Sequence, residues 1–451
     1  MELFGTAGIR GPVTRVTPEL ALAVGQAVGQ EMPGERPTVV VGRDGRETGA
    51  TLAAALEAGL TSAGADVVRV GQVPTPTLAY ASRGRYGVML TASHNPPPDN
   101  GIKLFADGQE FDSAAETKIE RRVEAEDGAA PWDAWGATRR TEPLPGYRAA
   151  VVEYAGNYGG EPGGITIAVD CGNGMASLAT PQVLRELGAG VRALHANVDG
   201  YFSARESKPT PETLSDLRAF VADGGAEFGL GHDGDADRIV VVDDDGDVVH
   251  EDTVVAILAA HYTRRCDADD PVVVTTPNAS ARIDERVRAA GGRVERVRLG
   301  ALHEGIERVR KSGGPGTVVA FAAEPWKHIH PELGGWIDAV VSAAVFTQLV
   351  AASGLETLRE PVTERPYRKE SIACPEKSKA AVMDTLERTL PDAFPDATVE
   401  TEYGIRLELP DSSWTLVRPS GTEPYIRIYA ESEDVDTLVA TAREYVEAAI
   451  E

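Results

Sequence analysis

The sequence predicts an α/β protein made of three related mixed α/β units and a smaller C-terminal α+β domain. One pattern recurs at residues 38–71, 165–194 and 272–300: an apolar run, a polar turn, a helical stretch, a Gly-rich stop and a second apolar run. Short Val/Ile runs that alternate with helices indicate parallel strands joined by right-handed crossovers. After Pro361 the residues alternate in the way that antiparallel strands require.

The three repeats begin with the runs "TVVVGRDGRETG", "ITIAVDCGNG" and "VVVTTPNAS". An internal triplication would explain them, but any α/β protein can carry such units without duplication, and the uneven spacing leaves both explanations open. In the last domain, a helical pattern over residues 379–390 precedes "TEYGIRLEL" and "SWTLVRPSGTEPYIRIYAES", and a final helix is predicted from Asp434 onward. These segments predict the antiparallel α+β domain.

A chain of 451 residues is too long for one typical domain. Proline and polar residues gather near Pro145, His250 and Pro361. We therefore expect four domains at residues 1–145, 146–250, 251–360 and 361–451. In this order they carry "TASHNPPPDNGIKLF" (the serine loop), "GHDGDADR" (the acidic loop), "AAEPWKHIH" (the divergent loop) and "VRPSGTEPYIR" (the basic loop).

The composition argues against several classes of partner. A net charge of -26 would repel nucleic acid and anionic membranes, so an anionic ligand needs a local basic pocket. Arg exceeds Lys and aromatic residues are few, which favours adaptation to high salt (a halophilic protein). The three cysteines lie far apart, and the sequence shows neither a signal peptide nor an apolar run of membrane-spanning length. We expect an unprocessed, soluble, cytoplasmic protein.

The stretch "TASHNPPPDNGIKLF" places one serine in a proline-stiffened loop. A serine hydroxyl needs a base or an electrostatic site to become a nucleophile, and His94 follows Ser93 directly. The nucleophile elbow of serine hydrolases has Gly on both sides of the serine, which this loop lacks. Taken alone, the loop favours a plain structural role in which Ser93 and Asn95 bond to backbone groups.

The stretch "GHDGDADRIVVV" places Asp233, Asp235 and Asp237 at alternate positions before an apolar strand. Three neighbouring carboxylates repel one another unless a cation lies between them, and oxygen ligands select a hard ion such as Mg²⁺. A calcium EF-hand would need Gly and Glu where Arg238 and Asp244 stand. The triplet therefore predicts a magnesium site, whereas the later "DDDGD" indicates a solvated turn.

Two further stretches are candidate anion sites. The segment "VRPSGTEPYIR" gathers two guanidiniums, two hydroxyls and a glycine, which suits a phosphate dianion, although an ordinary hairpin turn would look similar. Its candidate residues are Arg418, Ser420, Gly421, Thr422 and Arg427. Weaker candidates lie in the Gly-rich stretches "FGTAGIRG", with Arg10, and "GRDGRETG", with Arg43 and Arg46.

In this order, "TASHNPPPDNGIK", "DGDADR" and "RPSGTEP" resemble three signature motifs of the α-D-phosphohexomutase superfamily, and the resemblance covers nearly the whole chain. It implies a heart-shaped arrangement of four domains around a central cleft. It also implies that a phosphoserine exchanges its phosphoryl group with a hexose phosphate through a hexose 1,6-bisphosphate, which serves as activator. The net reaction interconverts hexose 1-phosphate and hexose 6-phosphate.

The resemblance assigns roles to individual residues. Ser93 would carry the phosphoryl group and, with the three aspartates, would bind one Mg²⁺ per chain. Lys103 would be the acid/base, with a pKa lowered by nearby cations, and His94 would orient the loop. Arg10 and Arg238 would contact the phosphoserine. The other residues expected to bind substrate are Glu324, Lys327, His328 and those of the 418–427 loop.

The sugar-binding loop departs from the family pattern. The family commonly has Gly-Glu-x-Ser-Gly-His, whereas "AAEPWKHIH" keeps Glu324 and His328 but has Trp326 and Lys327 in place of Ser and Gly. Trp326 could stack on a sugar and Lys327 could bind an anion, or both could be packing or surface residues. The sequence leaves the phosphates of glucose, mannose, glucosamine and N-acetylglucosamine as possible substrates, and it slightly favours the glucosamine branch of the family.

Two alternatives belong to other functional classes. A Mg²⁺-dependent sugar-phosphate phosphatase would let water intercept the phosphoserine, but it has less need of a complete second phosphate loop. A non-catalytic sugar-phosphate sensor would be expected to lose the serine or a carboxylate, and all are present. The expected partner is a phosphosugar, not nucleic acid or membrane, and a monomer and a homodimer both stay open.

Overall fold

The computed structural model of the chain describes residues 3–5, 8–32, 34, 36–125, 128–421 and 423–450. It divides into two compact units, one formed by residues 1–254 and 325–358 and the other by residues 255–324 and 359–451. The described strands form four sheets, three built around parallel strands and one antiparallel throughout. The predicted α/β class is confirmed.

The first sheet is mixed and belongs to the first unit. Its strands are β1 (Ile9–Pro12), β2 (Thr38–Arg43), β3 (Asp66–Gln72), β4 (Tyr86–Leu90), β5 (Asp99–Ala106), β6 (Gln109–Glu110) and β7 (Thr138–Arg140). They lie in the order β1-β5-β4-β2-β3-β7, with β6 paired to β5. Strands β2, β3, β4 and β7 run parallel, whereas β5 is antiparallel to both β1 and β4.

Four helices accompany this sheet: α1 (Pro18–Glu31), α2 (Gly49–Ser62), α3 (Thr75–Ala81) and α4 (Ser113–Ala125). Helices α1 and α2 pack closely because glycines stand where they cross. A Cβ on Gly25 would lie 2.3 Å from the Leu56 carbonyl oxygen, and one on Gly59 would lie 2.1 Å from that of Leu22. Any side chain there would force the helices apart.

The second sheet also lies in the first unit. Its strands are β8 (Thr166–Asp170), β9 (Gly190–Leu194), β10 (Phe228–His232) and β11 (Ile239–Val242), in the order β11-β10-β8-β9. Strand β8 is parallel to β9 and β10, and β11 returns antiparallel to β10. The accompanying helices are α5 (Leu144–Ala155), α6 (Thr180–Glu186) and α7 (Ser215–Phe220). The β10–β11 turn is the acidic loop.

The third sheet places β12 (Asp270–Thr275) between two parallel strands, β13 (Arg293–Arg296) and β14 (Thr317–Glu324). Its helices are α8 (Glu251–Arg265), α9 (Ala281–Ala289) and α10 (Leu302–Ser312). In all three sheets the first strand of the repeat lies between the two parallel strands that follow it: β2 between β3 and β4, β8 between β9 and β10, and β12 between β13 and β14. This shared order agrees with three related units.

After β14 the chain forms a short strand, β15 (Lys327–Ile329), and the helices α11 (Ala339–Ser353) and α12 (Leu355–Arg359). The last sheet is antiparallel throughout, with the order β16-β20-β19-β18-β17. Its strands are β16 (Tyr367–Ala373), β17 (Thr398–Glu400), β18 (Ile405–Glu408), β19 (Trp414–Pro419) and β20 (Tyr425–Glu431), with helices α13 (Lys379–Thr389) and α14 (Val435–Ile450). The α+β prediction for this domain is confirmed.

Within the described ranges, no helix combines the length and the apolar composition that a bilayer crossing requires.

Candidate active site

Ser93 lies in the loop between β4 and β5 and is completely buried. Its backbone is left-handed, with φ of 52°, which is unusual for a residue with a side chain. Its Oγ donates a hydrogen bond of 2.7 Å to Oδ2 of Asp233 and lies 3.2 Å from Nδ1 of His94. The serine therefore faces the acidic loop, not solvent.

The acidic loop approaches the serine loop closely because Gly234 has no side chain. A Cβ at this position would lie 2.7 Å from the carbonyl oxygen of Ser93. The turn is also fixed from within, since Oδ1 of Asp233 accepts hydrogen bonds from the backbone N–H groups of Asp237 and Arg238, each at 3.2 Å. Glycine at 234 thus allows the aspartates to reach the serine.

The three aspartates of the predicted metal site are brought together. Asp233, Asp235 and Asp237 are buried, and one carboxylate oxygen from each lies within 4.8 Å of the others. Burial, and then repulsion by Asp237 and Asp235, raise the pKa of Asp233 well above its usual range. Oδ1 of Asp235 and Oδ1 of Asp237 have no hydrogen-bond partner among the described residues. Crowded, unpaired oxygen donors fit a hard divalent cation such as Mg²⁺.

Lys103 lies on β5 beside the aspartates and is almost fully buried. Its Nζ is 2.9 Å from Oδ2 of Asp237, 3.3 Å from Oδ2 of Asp235 and 3.8 Å from Glu110. Burial alone would lower the pKa of Lys103, but the three carboxylates outweigh burial and raise it above its usual range. The structure does not show the expected lowering of this pKa, because the charges of Asp235, Asp237 and Glu110 outweigh burial and the charge of Arg10.

Three more cations act on His94, the residue next to Ser93. Nε of Arg10 and Nη2 of Arg10 are buried without a hydrogen-bond partner among the described residues, and the same holds for Nε of Arg238. Nζ of Lys327 lies 3.6 Å from Oδ2 of Asp237. Burial, and then the charges of Arg238, Arg10 and Lys327, lower the pKa of His94 to about 2, so its ring is neutral. These N–H groups and the ammonium of Lys327 could therefore bind an anion near the serine loop.

The residues of the divergent loop, 324–328, have different surroundings. Trp326 has a left-handed backbone, with φ of 65°, and its carbonyl accepts from the N–H of Ile239 at 3.1 Å. This conformation directs Lys327 toward the aspartates. His328 is buried, with Nδ1 2.9 Å from Oγ of Ser342 on α11, and burial lowers its pKa to about 3. Glu324, in the second unit, accepts from the N–H of Gly300.

The basic loop between β19 and β20 belongs to the second unit. Oγ of Ser420 and Nε of Arg418 are buried there without a hydrogen-bond partner among the described residues. A Cβ on Gly421 would meet open space, and the Arg427 guanidinium pairs with Glu423. Thr422 lies outside the described residues. Among the described residues the loop thus offers one unpaired hydroxyl and one unpaired guanidinium N–H, since Nη1 and Nη2 of Arg418 donate to Pro419 and Tyr429, and such donors suit a phosphate.

Sequence reasoning did not identify several side chains that hold these loops. Lys379 is buried under the basic loop and donates to the carbonyls of Ser420 (2.6 Å) and Glu423 (2.7 Å). Thr75 Oγ1 donates to Oδ2 of Asp235 at 2.6 Å. Arg46, a weak anion-site candidate, instead bonds inward to the serine loop. Only Arg46 gave a sequence signal, as a charged residue in a Gly-rich segment, whereas Lys379 and Thr75 stand in segments without a distinctive pattern.

Family models of the phosphoglucomutase/phosphomannomutase family match three parts of the chain. The α/β/α domain I matches residues 1–130, the α/β/α domain II matches residues 148–246, and the C-terminal domain matches residues 372–448. Together these matches cover well over half of the sequence.

Curated proteins and solved structures agree with these models. The chain is 41% identical to "Phosphopentomutase" of Thermococcus kodakarensis over 96% of this chain and 94% of that protein. It is 39% identical to "Probable phosphoglucosamine mutase" of Methanopyrus kandleri over 99% and 97%. A phosphoglucomutase/phosphomannomutase family protein of Burkholderia thailandensis superposes with a TM-score of 0.85 at 25% identity, covering 98% and 97%. The chain belongs to the α-D-phosphohexomutase superfamily and is an intramolecular phosphotransferase of the phosphoglucomutase/phosphomannomutase family.

Proposed function

We propose that the chain interconverts glucosamine 1-phosphate and glucosamine 6-phosphate, with Ser93 as the carrier of the phosphoryl group and a hexose 1,6-bisphosphate as the intermediate. The observation that carries the proposal is the position of the Ser93 hydroxyl, 2.7 Å from Asp233 within a buried cluster of carboxylates and cations. Several relatives named "Probable phosphoglucosamine mutase", at 39%, 38% and 37% identity, support the amino sugar.

Phosphoryl transfer depends mostly on positioning and on neutralising the charge of the moving group. Arg10 and Arg238 have buried guanidinium N–H groups without a hydrogen-bond partner among the described residues, and Lys327 adds an ammonium; all three charges act on His94, next to Ser93. We assign these three residues to the phosphoryl oxygens. Because the Ser93 hydroxyl donates its hydrogen bond to Asp233, the neutral ring of His94, with Nδ1 3.2 Å from Oγ, would orient the serine by donating from Nδ1 to Oγ.

Asp233, Asp235 and Asp237 would hold one Mg²⁺ together with a phosphoserine oxygen, and the bound ion would neutralise charge on the phosphoryl group. Burial of Ser93 keeps bulk water from the serine, which protects a phosphoserine from hydrolysis.

Lys103 is our candidate for proton transfer during catalysis. Its contacts with Asp235 and Asp237 keep it in the ammonium form, which is the form that donates a proton. We assign Lys103 to the acid/base role, in which it would give a proton to the serine oxygen as the phosphoryl group leaves and would take back the proton that the accepting sugar hydroxyl loses.

The basic loop is our candidate for the second phosphate of the intermediate. Arg418 and Ser420 supply donors that lack a partner among the described residues, and the sequence adds Arg427, Gly421 and Thr422 as further candidates. Glu324, Lys327 and His328 were expected to bind the sugar. Of these, Glu324 keeps that proposed role, Lys327 is reassigned to the phosphoryl group, and His328 would act by supporting the loop from α11.

A second candidate function is a phosphopentomutase, because a relative of that name is 41% identical over almost the entire chain. The same serine chemistry would then act on a pentose phosphate. The phosphatase alternative finds no support, since the named relatives are mutases.

The test measures conversion of glucosamine, glucose and ribose 1-phosphates with Mg²⁺ and a trace of the matching bisphosphate, beside a free-phosphate assay. We expect glucosamine phosphate to be isomerised fastest by the wild type and not at all by Ser93→Ala. Ser113→Ala, at an exposed serine on α4, is the matched control. Preference for the ribose ester would favour the pentomutase, and phosphate release without isomerisation would contradict both mutases.

A further inference from the structure

Arg46 lies beneath the serine loop and is completely buried. Its guanidinium uses all five of its N–H donors, one on a carboxylate and four on backbone carbonyls of residues 93–99. Nε donates to Oδ2 of Asp44 (3.0 Å), Nη1 donates to the carbonyls of Pro96 (2.7 Å) and Asp99 (2.8 Å), and Nη2 donates to those of Ser93 (3.0 Å) and Asn95 (2.7 Å). No donor is left for an external anion.

Asp44 connects this guanidinium to the other end of Ser93. Oδ2 of Asp44 also accepts from Oγ1 of Thr91 at 2.6 Å, and that hydroxyl accepts from the N–H of Ser93 at 2.9 Å. The N–H of Ser93 is therefore tied to Asp44 through Thr91, and its carbonyl is tied to Asp44 through Arg46. Both peptide groups of the serine depend on one buried carboxylate.

We propose that Arg46, held by Asp44, is the positioning residue that fixes Ser93 for phosphoryl transfer. A left-handed serine persists only where its surroundings over-determine the backbone, and the four carbonyl contacts of Arg46 provide that constraint. The inference rests on the proposed function, because a serine that gives up and regains a phosphoryl group must return each time to the same place.

Lysine cannot replace Arg46 in this role. Its ammonium is a compact charge with three donors, whereas the planar guanidinium directs four donors to carbonyls of the loop and a fifth to the Asp44 carboxylate. A displacement of about 1 Å at a reacting atom costs roughly 100-fold in rate. We therefore expect Arg46→Lys to fold, to bind the sugar phosphate with nearly the wild-type KM, and to lose about 100-fold in kcat.

Chemical rescue separates positioning from a general loss of structure. In Arg46→Ala, millimolar guanidinium chloride should occupy the vacated space and restore kcat by about 10-fold, whereas equal sodium chloride should not. Arg69→Lys, at a half-exposed arginine on β3, is the control that should match wild type in both salts. Wild-type kcat in Arg46→Lys, or a folded Arg46→Ala that guanidinium fails to rescue, would overturn the proposal.

If neither Arg46 variant folds, Thr91 decides the matter. Thr91→Ser keeps the hydroxyl and should keep the wild-type kcat, whereas Thr91→Val removes it and should lower kcat by about 10-fold; equal rates would overturn the proposal. If the wild type isomerises no sugar phosphate, the proposed function fails, yet a crystal structure of Arg46→Lys or Thr91→Val still tests the inference. Ser93 should leave the left-handed region there, and an unchanged Ser93 would contradict the proposal.

Discussion

Oγ of Ser93 donates a 2.7 Å hydrogen bond to Oδ2 of Asp233, across 140 residues of sequence. The bond joins the loop after β4 to the turn after β10 and places a hydroxyl on one of three crowded carboxylates. The hydroxyl that we propose as the carrier of the phosphoryl group is thus already next to the carboxylates that we propose as ligands of a divalent cation.

Removing one metal ligand should abolish stabilisation by magnesium. For the wild type, Mg²⁺ at 100 times its dissociation constant should raise the free energy of unfolding by about 2.7 kcal/mol, because only the folded chain assembles the three carboxylates. In Asp235→Asn the increase should largely disappear. The measurement is thermal unfolding in Mg²⁺ and in EDTA, with Asp245→Asn, an exposed residue of the neighbouring turn, as control. An equal increase in Asp235→Asn would place the metal elsewhere.

Lys327→Met should lower kcat by about 100-fold with little change in KM, because removing one donor to the charge of a transition state typically costs that much. The prediction follows from the 3.6 Å between Nζ of Lys327 and Asp237. Steady-state kinetics provide the measurement, with Lys311→Met on the exposed face of α10 as control. A higher KM at unchanged kcat would show that Lys327 binds the sugar and not the phosphoryl group.

Lys379→Met should loosen the basic loop. Its ammonium donates to the carbonyls of Ser420 and Glu423, which turns these carbonyls inward. We expect KM for the sugar phosphate to rise by about 10-fold or more, since hydrogen bonds to charged groups contribute about 1.5–3 kcal/mol. Lys377→Met, an exposed neighbour, is the matched control. An unchanged KM in a folded Lys379→Met variant would show that the basic loop does not bind the substrate.

Asp338 should make the protein less stable as pH rises from about 4 to about 7. Burial raises its pKa to about 6, although the N–H of Val341 and the side chains of Trp336 and Tyr147 favour the ionised form. Between the unfolded and folded pKa values the folded state binds the proton more tightly, so stability from this group is present in acid and is lost as pH rises through 6. The loss is on the order of 3 kcal/mol.

Urea unfolding of wild type and Asp338→Asn at several pH values measures this effect. The difference in unfolding free energy between the two proteins should shift with pH across this window, because asparagine does not titrate. Asp245→Asn should show no such shift, since its carboxylate is exposed. A difference that stays constant with pH would mean that Asp338 has an ordinary pKa in the folded chain.

The strands and the functional loops could be predicted from the sequence because both rest on local patterns. A run such as Ile239–Val242 is apolar for the full length of a buried strand, and Asp233, Asp235 and Asp237 alternate before it. Each of these patterns spans only a few neighbouring residues, so it can be recognised without knowing the long-range contacts of the folded chain. The three carboxylates that could hold a metal ion therefore lie together, as the sequence indicated.

Long-range relationships could not be predicted in this way. The contacts of Arg46 join it to carbonyls about 50 residues away, and no local pattern encodes which carbonyls those are. The raised pKa of Lys103 depends on Asp235 and Asp237, more than 130 residues along the chain. His328 likewise lies against Ser342 for reasons of packing that the motif does not contain.

Whether Ser93 carries the phosphoryl group can be measured directly by intact-mass and peptide mass spectrometry after incubation with a hexose 1,6-bisphosphate and Mg²⁺. We expect one added phosphoryl group on Ser93. It should be absent in Ser93→Ala and should be lost again when the matching hexose monophosphate is supplied. An unmodified Ser93 in a preparation that nevertheless isomerises the sugar phosphate, or a phosphoryl group on another residue, would contradict the proposal.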